Sequence, residues 1–280
     1  MSTRIPTLTQ KQVAAFLKPR PHDSHKGLFG TAMVIGGANG MVGAPLLAAR
    51  AALKLGAGCV HVGLLADYAP VVDLLQPELM LHNNKTDFPK ADVIAIGCGM
   101  GIDLAAQKIL YETLKLNTPL LLDADALSIL ALRADLQTLV FARKAATVIT
   151  PHPGEAARLL GRSTDEIQAA RTESAKQLAE KFQCSVVLKG AHSVCVTHAG
   201  KTYLNKTGNP GMSSPGMGDV LTGMIAAFIA QGLDADDALL LAVHLHGAAG
   251  DALAQQGIAI GMTATEVTDW ARWLLNQWLG

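Results

Sequence analysis

Residues 205–221 read Asn-Lys-Thr-Gly-Asn-Pro-Gly-Met-Ser-Ser-Pro-Gly-Met-Gly-Asp-Val-Leu, a loop of glycine, proline and small polar residues that runs directly into an apolar helical pattern. The first turn of a helix carries unpaired N–H groups and the positive end of the helix dipole, and glycines let the backbone approach a phosphate closely. The segment therefore predicts an anion site. Asp219 lies at the junction, where it could accept a hydroxyl proton in phosphoryl transfer or simply cap the helix.

Short β-rich runs alternate with helical stretches before this loop. The runs are continuously apolar, which is typical of strands buried on both faces of a sheet. Strands are predicted at 31–36, 59–64, 93–96, 120–122, 147–149 and 186–188, a hairpin at 193–204, and helices at 45–55, 104–116, 164–181, 220–230, 235–255 and 265–279. The sequence thus predicts an α/β fold with a mostly parallel central sheet flanked by helices and a helical C-terminal third. We expect a single domain over 1–280 with a short N-terminal arm at 1–25.

Composition excludes several classes of protein. The formal net charge is +0, with Lys+Arg 23 against Asp+Glu 23, so no basic field predicts binding to nucleic acid or to a membrane surface. An apolar run of about 18 residues, as a membrane span requires, is not found in the sequence. The polar N-terminal segment lacks a signal core, which indicates the cytoplasm. The four cysteines form no C-x-x-C pair, so we expect buried reduced thiols rather than a zinc ribbon.

The loops that follow the predicted strands contain candidate ligand-binding residues. Ligands of parallel sheets bind beyond the carboxyl ends of the strands. In this chain those ends carry glycine-rich or polar loops at 36–44, 97–101, 123–125, 150–155 and 189–193. Several such loops at one edge predict a cleft for a large, phosphate-bearing ligand. Lys189 leaves a buried strand and needs an anionic partner, which a ligand phosphate would supply.

Each of these features also has an ordinary structural interpretation. The glycine clusters after the first and third strands could be tight turns, and they match neither a P-loop nor a dinucleotide-binding fingerprint. Asp123 and Asp125 could bind a metal or cap a helix. His152 lies between two prolines, which could aim its ring at a ligand or leave it structural. His244 and His246 lack acidic or cysteine partners at metal-ligand spacing, and we interpret them as packing residues.

Taken together, these motifs resemble those of the ADP/ATP-dependent NAD(P)H-hydrate dehydratases, which have a ribokinase-like fold. The resemblance rests on the 205–221 loop, Lys-Gly at 189–190, Thr-Pro-His-Pro-Gly-Glu at 150–155, Gly-Cys-Gly-Met-Gly at 97–101, and Lys26-Gly27 followed by Gly36-Gly37. It runs from about Lys26 to the C-terminus, with the motifs in the family's order.

The resemblance implies a role for individual residues. Asp219 looks like the catalytic base beside the substrate. The anion hole would comprise Gly216, Met217 and Gly218, and the nucleotide-binding residues would be Lys189, Gly190, Ala191, His192, Ser193 and Gly218. Ala44, Gly101 and His152, with Gly99 beside them, look like substrate contacts. Pro215 departs from the family, in which glycine is commoner there, and proline lacks the N–H that an anion contact needs.

The substrate implied by the resemblance is NADH or NADPH that has gained water across a ring double bond. ADP would phosphorylate the ring hydroxyl with Mg²⁺ assisting, and the ring nitrogen would help to expel phosphate, leaving AMP. The resemblance further implies specificity for the S epimer and a homo-oligomer, a tetramer. We expect the NAD(P)H-hydrate epimerase on a separate chain, because the residues before 31 are too few for another domain.

Two other functions remain open at this point. A small-molecule kinase of the ribokinase-like fold would share the glycine loop and Asp219, but would use ATP and release a stable phosphorylated product. The His152 motif favours the dehydratase. A nucleotide-sensing binding protein would show no turnover, and the carboxylate beside the anion site argues against it.

Overall fold

Nine strands within residues 5–83 and 88–279, which the computed structural model describes, form one sheet. Residues 1–4 of the predicted N-terminal arm lie outside the described residues. The strands are β1 (Thr31–Gly36), β2 (Cys59–Leu64), β3 (Met80–His82), β4 (Val93–Ile96), β5 (Leu120–Leu122), β6 (Thr147–Ile149), β7 (Ser185–Leu188), β8 (Val194–Val196) and β9 (Thr202–Leu204). Their order is β3-β2-β1-β4-β5-β6-β7-β8-β9, parallel from β3 to β7 and antiparallel from β7 to β9.

Helices cover both faces of the sheet. They are α1 (Gln10–Ala14), α2 (Gly43–Lys54), α3 (Leu104–Leu114), α4 (Ala124–Leu132), α5 (Ala134–Ala142), α6 (Pro153–Leu160), α7 (Thr164–Ala169), α8 (Arg171–Phe182), α9 (Met217–Ala230), α10 (Ala235–Gln255) and α11 (Ala264–Trp278). Short 3₁₀ turns lie at Lys26–Phe29 and Pro210–Met212. Within the described part of the chain, every helix is too short or too polar to cross a bilayer.

The strands are buried on both faces, as their continuous apolar runs predict. Successive side chains of a strand point to opposite faces. In β1, Ala32 and Val34 belong to the core cluster shared with α2, α9 and α10, whereas Met33 and Ile35 belong to the cluster shared with α3 to α8. The predicted α/β fold, with its mostly parallel sheet and helical C-terminal third, is confirmed.

Helix α9 is held against α2 by a glycine. A Cβ at Gly223 would lie 1.9 Å from the carbonyl oxygen of Ala48, so only glycine permits this approach. The hydroxyl of Thr222, one residue earlier, donates a hydrogen bond to Asp123 at the end of β5. The close packing therefore places the first turn of α9 at the carboxyl edge of the sheet.

The structure corrects parts of the expected secondary structure. The predicted helix at 164–181 is two helices, because Ala170 leaves the helical region at φ −132° and ψ 45°. The N-terminal arm packs against the sheet, since the Leu8 N–H donates to the Leu204 carbonyl at 2.9 Å, and Leu8 and Val13 are buried. Strand β3 and helices α4, α5 and α6 are not predicted from the sequence.

Candidate active site

The glycine loop ends at the N-terminus of α9. Gly216 occupies the N-cap position at φ 89°, a left-handed conformation, and a Cβ there would lie 2.6 Å from Leu47 Cδ1. The first N–H groups of an α-helix have no partner within the helix. The predicted anion hole therefore lies where unpaired N–H groups are available to bind an anion. It comprises Gly216, Met217 and Gly218. Pro215 directly precedes them and supplies no N–H, so the donors can begin only at Gly216.

A buried ion pair lies behind this turn. Lys189 Nζ is 2.7 Å from Asp123 Oδ1, and Thr222 Oγ1 donates to Asp123 Oδ2 at 2.8 Å. A Cβ on Gly218 would lie 3.2 Å from Lys189 Nζ, so the ammonium group sits against the backbone of the anion hole. The anionic partner of Lys189 in the structure is therefore Asp123, whereas the sequence predicts a ligand phosphate.

The ion pair keeps both groups charged. Burial alone would lower the pKa of Lys189 and raise that of Asp123, but their mutual attraction outweighs it. The pKa of Lys189 is consequently above its usual value and that of Asp123 below it. Asp123 occupies the N-cap position of α4, yet its carboxylate makes no capping bond there, so the capping alternative is wrong for this residue.

Asp219 lies beside this pair, partly buried in the first turn of α9. One ligand atom from each of Cys98, Asp123 and Asp219 lies within 4.8 Å of the others. Burial, and next the charge of Asp123, raises the pKa of Asp219 to about 6, while hydrogen bonding by the Cys98 thiol and the charge of Lys189 lower it. A carboxylate with such a pKa is ionised at neutral pH and is a stronger base than an exposed aspartate.

The same three groups do not suit a resident Mg²⁺. Mg²⁺ takes oxygen ligands in octahedral geometry and usually shares them with substrate phosphates. Here one of the three groups is a thiol, and the oxygens of Asp123 already accept bonds from Lys189 and Thr222. We therefore assign no metal to these residues.

The loops after β1 and β4 are joined by hydrogen bonds. The Ala38 N–H donates to the Gly99 carbonyl at 2.7 Å, and the Gly101 N–H donates to Asp125 Oδ2 at 2.9 Å. A Cβ on Gly99 would lie 3.2 Å from the Cβ of Ala44. The structure thus brings the predicted substrate contacts Ala44 and Gly99 together, and it gives Asp125 the role of holding Gly101.

His152 is the N-cap of α6, and its ring is held through Nδ1. Its Nδ1 accepts from the Gly154 N–H at 3.0 Å, and its Nε2 lies 3.3 Å from Glu155 Oε1. Glu155 Oε2 also accepts from the His152 N–H at 2.7 Å, which completes a capping box. Burial lowers the pKa of His152 and raises that of Glu155 to about 7. The ring is therefore neutral, carries its proton on Nε2, and stays about half exposed.

The predicted nucleotide-binding residues meet at one cavity of about 560 Å³. Its lining comprises Lys189, Gly190, Ala191, His192 and Ser193 after β7, residues 205 and 207–210 with 212 and 213 of the glycine loop, Met217, Gly218 and Leu221 of α9, and Val243, His246 and Gly247 of α10. Asp251 fixes the loop, since its carboxylate accepts from the Gly208 N–H at 2.9 Å and from Asn209 Nδ2 at 3.1 Å. Gly218 lines the cavity and Asp219 follows it, so the candidate base is one residue from the cavity wall.

Comparison with known proteins identifies the group to which this arrangement belongs. A family model described as NAD(P)H-hydrate dehydratase matches residues 32–272. The chain belongs to the NAD(P)H-hydrate dehydratase family. The ADP-dependent (S)-NAD(P)H-hydrate dehydratase of Neisseria meningitidis serogroup B is 42% identical over 266 residues, which cover 93% of this chain and 90% of that protein.

Other members of the NAD(P)H-hydrate dehydratase family extend the comparison. The bifunctional NAD(P)H-hydrate repair enzyme of Escherichia coli K12 is 39% identical, and the match covers 98% of this chain but 53% of that protein. The ADP/ATP-dependent NAD(P)H-hydrate dehydratase of Bacillus subtilis, co-crystallised with ATP and Mg²⁺, superposes with a TM-score of 0.90 at 32% identity, covering 99% of this chain and 100% of that one. A ribokinase-like protein of Enterococcus faecalis also superposes, with a TM-score of 0.83 at 28% identity, covering 98% and 96%, so the expected ribokinase-like fold is confirmed.

Three residues gain importance in this dehydratase fold that the sequence did not assign. Asp123 has a lysine partner 66 positions away, and Cys98 lies beside Asp219 although it reads as an ordinary buried thiol. His246 lines the cavity, whereas His244 Nδ1 donates to Asn205 Oδ1 at 3.2 Å and its ring packs near Trp278. The packing interpretation therefore suits His244 only. Residues two positions apart on a helix point about 200° apart, so the spacing of His244 and His246 alone indicates that the two rings have different surroundings.

Proposed function

We propose that the protein dehydrates the S epimer of hydrated NADH or NADPH, using ADP as phosphoryl donor and releasing NAD(P)H, AMP and phosphate. One observation carries this proposal: a carboxylate with a pKa near 6, Asp219, directly follows a glycine that lines the nucleotide-sized cavity. A base and a set of helix N-terminal amides at one point suit transfer of a phosphoryl group to a hydroxyl. The activities of the Neisseria and Bacillus relatives support the same reaction.

The proposed reaction follows from that arrangement. ADP occupies the cavity with its terminal phosphoryl group at Gly216, Met217 and Gly218, whose amides hold the developing charge. Asp219 takes the proton of the ring hydroxyl while the oxygen of that hydroxyl attacks phosphorus, and AMP leaves. The ring nitrogen then expels phosphate, and loss of a proton from the neighbouring ring carbon restores the double bond. Mg²⁺ bound with the nucleotide would supply neutralisation of phosphate charge.

The substrate would lie on the other side of Asp219. Ala44, Gly99 and Gly101 would form its wall, because Gly99 adjoins Ala44 and also Cys98, whose thiol lies beside Asp219. The half-exposed neutral ring of His152 would face the dihydropyridine. A pocket built around one hydroxyl rejects the epimer in which that hydroxyl is displaced, because alignment with base and phosphorus is lost. We therefore propose S specificity, with interconversion of the epimers performed by a separate epimerase.

The assay that tests the function measures regenerated NADH. Purified S or R epimer of hydrated NADH is mixed with the protein, Mg²⁺ and either ADP or ATP, and absorbance is followed together with AMP release. We expect turnover of the S epimer with stoichiometric AMP. A stable phosphorylated product made with ATP would establish the kinase alternative, and nucleotide binding without turnover would establish the sensor. Equal initial rates on both epimers would refute the proposed pocket.

Glu155→Ala tests whether the capping box of α6 positions His152. Freeing the ring is expected to raise KM for hydrated NADH roughly tenfold by loss of orientation. Loss of the cap is expected to lower the free energy of unfolding by about 1 kcal/mol. The matched control is Glu166→Ala, which removes the same kind of capping box at Ser163 in α7. Both variants should lose similar stability, and an unchanged KM in Glu155→Ala would contradict the positioning role.

Three properties complete the proposal. Neisseria and Bacillus relatives that carry the dehydratase name alone support a single dehydratase domain over 1–280 that works with an epimerase on another chain. A cytoplasmic location and a homo-oligomer, a tetramer, remain predictions from the sequence and its family resemblance. Size-exclusion chromatography with light scattering measures the oligomeric state directly.

A further inference from the structure

Cys98 is a fully buried thiol placed beside the proposed base. It follows β4, and its own carbonyl accepts a hydrogen bond from the Gly37 N–H at 3.0 Å, which fixes the backbone. Gly97 and Gly99 on either side have φ values of 128° and 57°, so the turn that presents Cys98 depends on glycine. The residue is therefore held in place by the fold and does not merely fill space.

Two carboxylates surround the thiol. Cys98 Sγ and a carboxylate oxygen from each of Asp123 and Asp219 lie within 4.8 Å of one another. Asp123 already accepts from Lys189 and Thr222. Burial raises the pKa of Cys98 well above its ordinary value, so the thiol keeps its proton at neutral pH and can donate it to a carboxylate. The carboxylate hydrogen-bonded to the thiol is that of Asp219.

We propose that Cys98 is a positioning residue for Asp219: its S–H donates to the carboxylate, orients it towards the anion hole and keeps it ionised at neutral pH. This inference rests on the proposed function for the role of Asp219 as a base. The hydrogen bond opposes three influences that favour the protonated acid, namely burial, Asp123 and Asp125, and it acts in the same direction as Lys189.

The direct test is a titration of the Asp219 carboxyl group. Infrared difference spectra against Asp219→Asn assign its band in wild type, Cys98→Ala and Cys98→Ser. Losing a weak sulfur donor is expected to raise the midpoint by roughly 0.5–1 pH unit in Cys98→Ala. Cys98→Ser, which retains a donor of similar size, is expected to restore the wild-type midpoint or lower it. Cys184→Ala and Cys195→Ala remove other buried thiols and should leave the midpoint unchanged.

The pH profile of kcat/KM provides the second measurement. With a higher base pKa, Cys98→Ala should lose about twofold to fivefold in rate at pH 6 and almost nothing at pH 8. A uniform loss at both pH values, or a midpoint equal to that of wild type, would overturn the proposal and leave Cys98 as a packing residue. If the midpoint shifts as expected but no variant turns over hydrated NADH, the positioning role stands and the proposed function fails.

Discussion

Asp219→Asn is expected to lower turnover of hydrated NADH by roughly 10²–10⁴-fold, the usual cost of losing a general base. The substitution keeps the shape of the side chain and removes its ability to take a proton. The cavity wall, including Lys189 and Gly218, is untouched, so ADP affinity measured by calorimetry should stay within about threefold of wild type. Near-wild-type turnover would show that another group takes the hydroxyl proton.

The same substitution is expected to stabilise the free protein at neutral pH. Folding raises the pKa of Asp219 from 3.8 to about 6, so the native state favours the protonated acid. This contribution is fully present below pH 4 and is lost as the pH rises through 6. Asparagine avoids the loss, and the gain at pH 8 is at most about 3 kcal/mol. Denaturant unfolding at pH 4 and pH 8 measures it, with Asp165→Asn in the first turn of α7 as an exposed control.

Lys189→Met is expected to lower the free energy of unfolding by about 3–5 kcal/mol, because it leaves the Asp123 carboxylate buried without its ion partner. The Asp123 side chain is 2% exposed and that of Lys189 is 19% exposed, so water screens the pair poorly. The double variant Asp123→Asn with Lys189→Met removes both charges and should regain most of the loss. Urea unfolding of wild type, Lys189→Met, Asp123→Asn and the double variant gives the coupling energy.

Two comparisons make this result decisive. Lys115→Ala removes an ion pair with Glu112 in which both side chains are about half exposed, and should lower the free energy of unfolding by no more than about 1 kcal/mol.

The folded double variant then reports on nucleotide binding alone. Weakened ADP binding in it supports Lys189 as a phosphate contact, as the sequence predicts. Unchanged ADP affinity would restrict Lys189 to a structural role.

The sequence predicts the strands well because burial on both faces leaves a plain signal. The runs at 31–36 and 59–64 match β1 and β2 to the residue. Edge strand β3 lacks that signal, since Met80 is exposed and the other two residues are only partly buried. The break at Ala170 has neither glycine nor proline to mark it, and α4 and α5 are too uniformly apolar to show a helical period.

The sequence likewise predicts some features of the candidate site and not others. Local features, such as the glycine loop before α9 and the Thr-Pro-His-Pro-Gly-Glu motif at 150–155, can be recognised from consecutive residues. The partner of Lys189 cannot, because it depends on β5 and β7 ending at the same edge with only β6 between them. Cys98 is a further case, since nothing in its own loop shows that α9 will bring Asp219 beside it.

The pairing of Lys189 with Asp123 also determines the distance over which the site attracts an anion in solution. Two opposite charges 2.7 Å apart act as a dipole, whose field decays more steeply with distance than that of a lone ammonium. Dissolved phosphate or other small anions are therefore hardly attracted from a distance. Discrimination is left to ligands that reach the amides of the first turn of α9, and a nucleotide already carrying its own cation is better suited to do so than a bare polyanion.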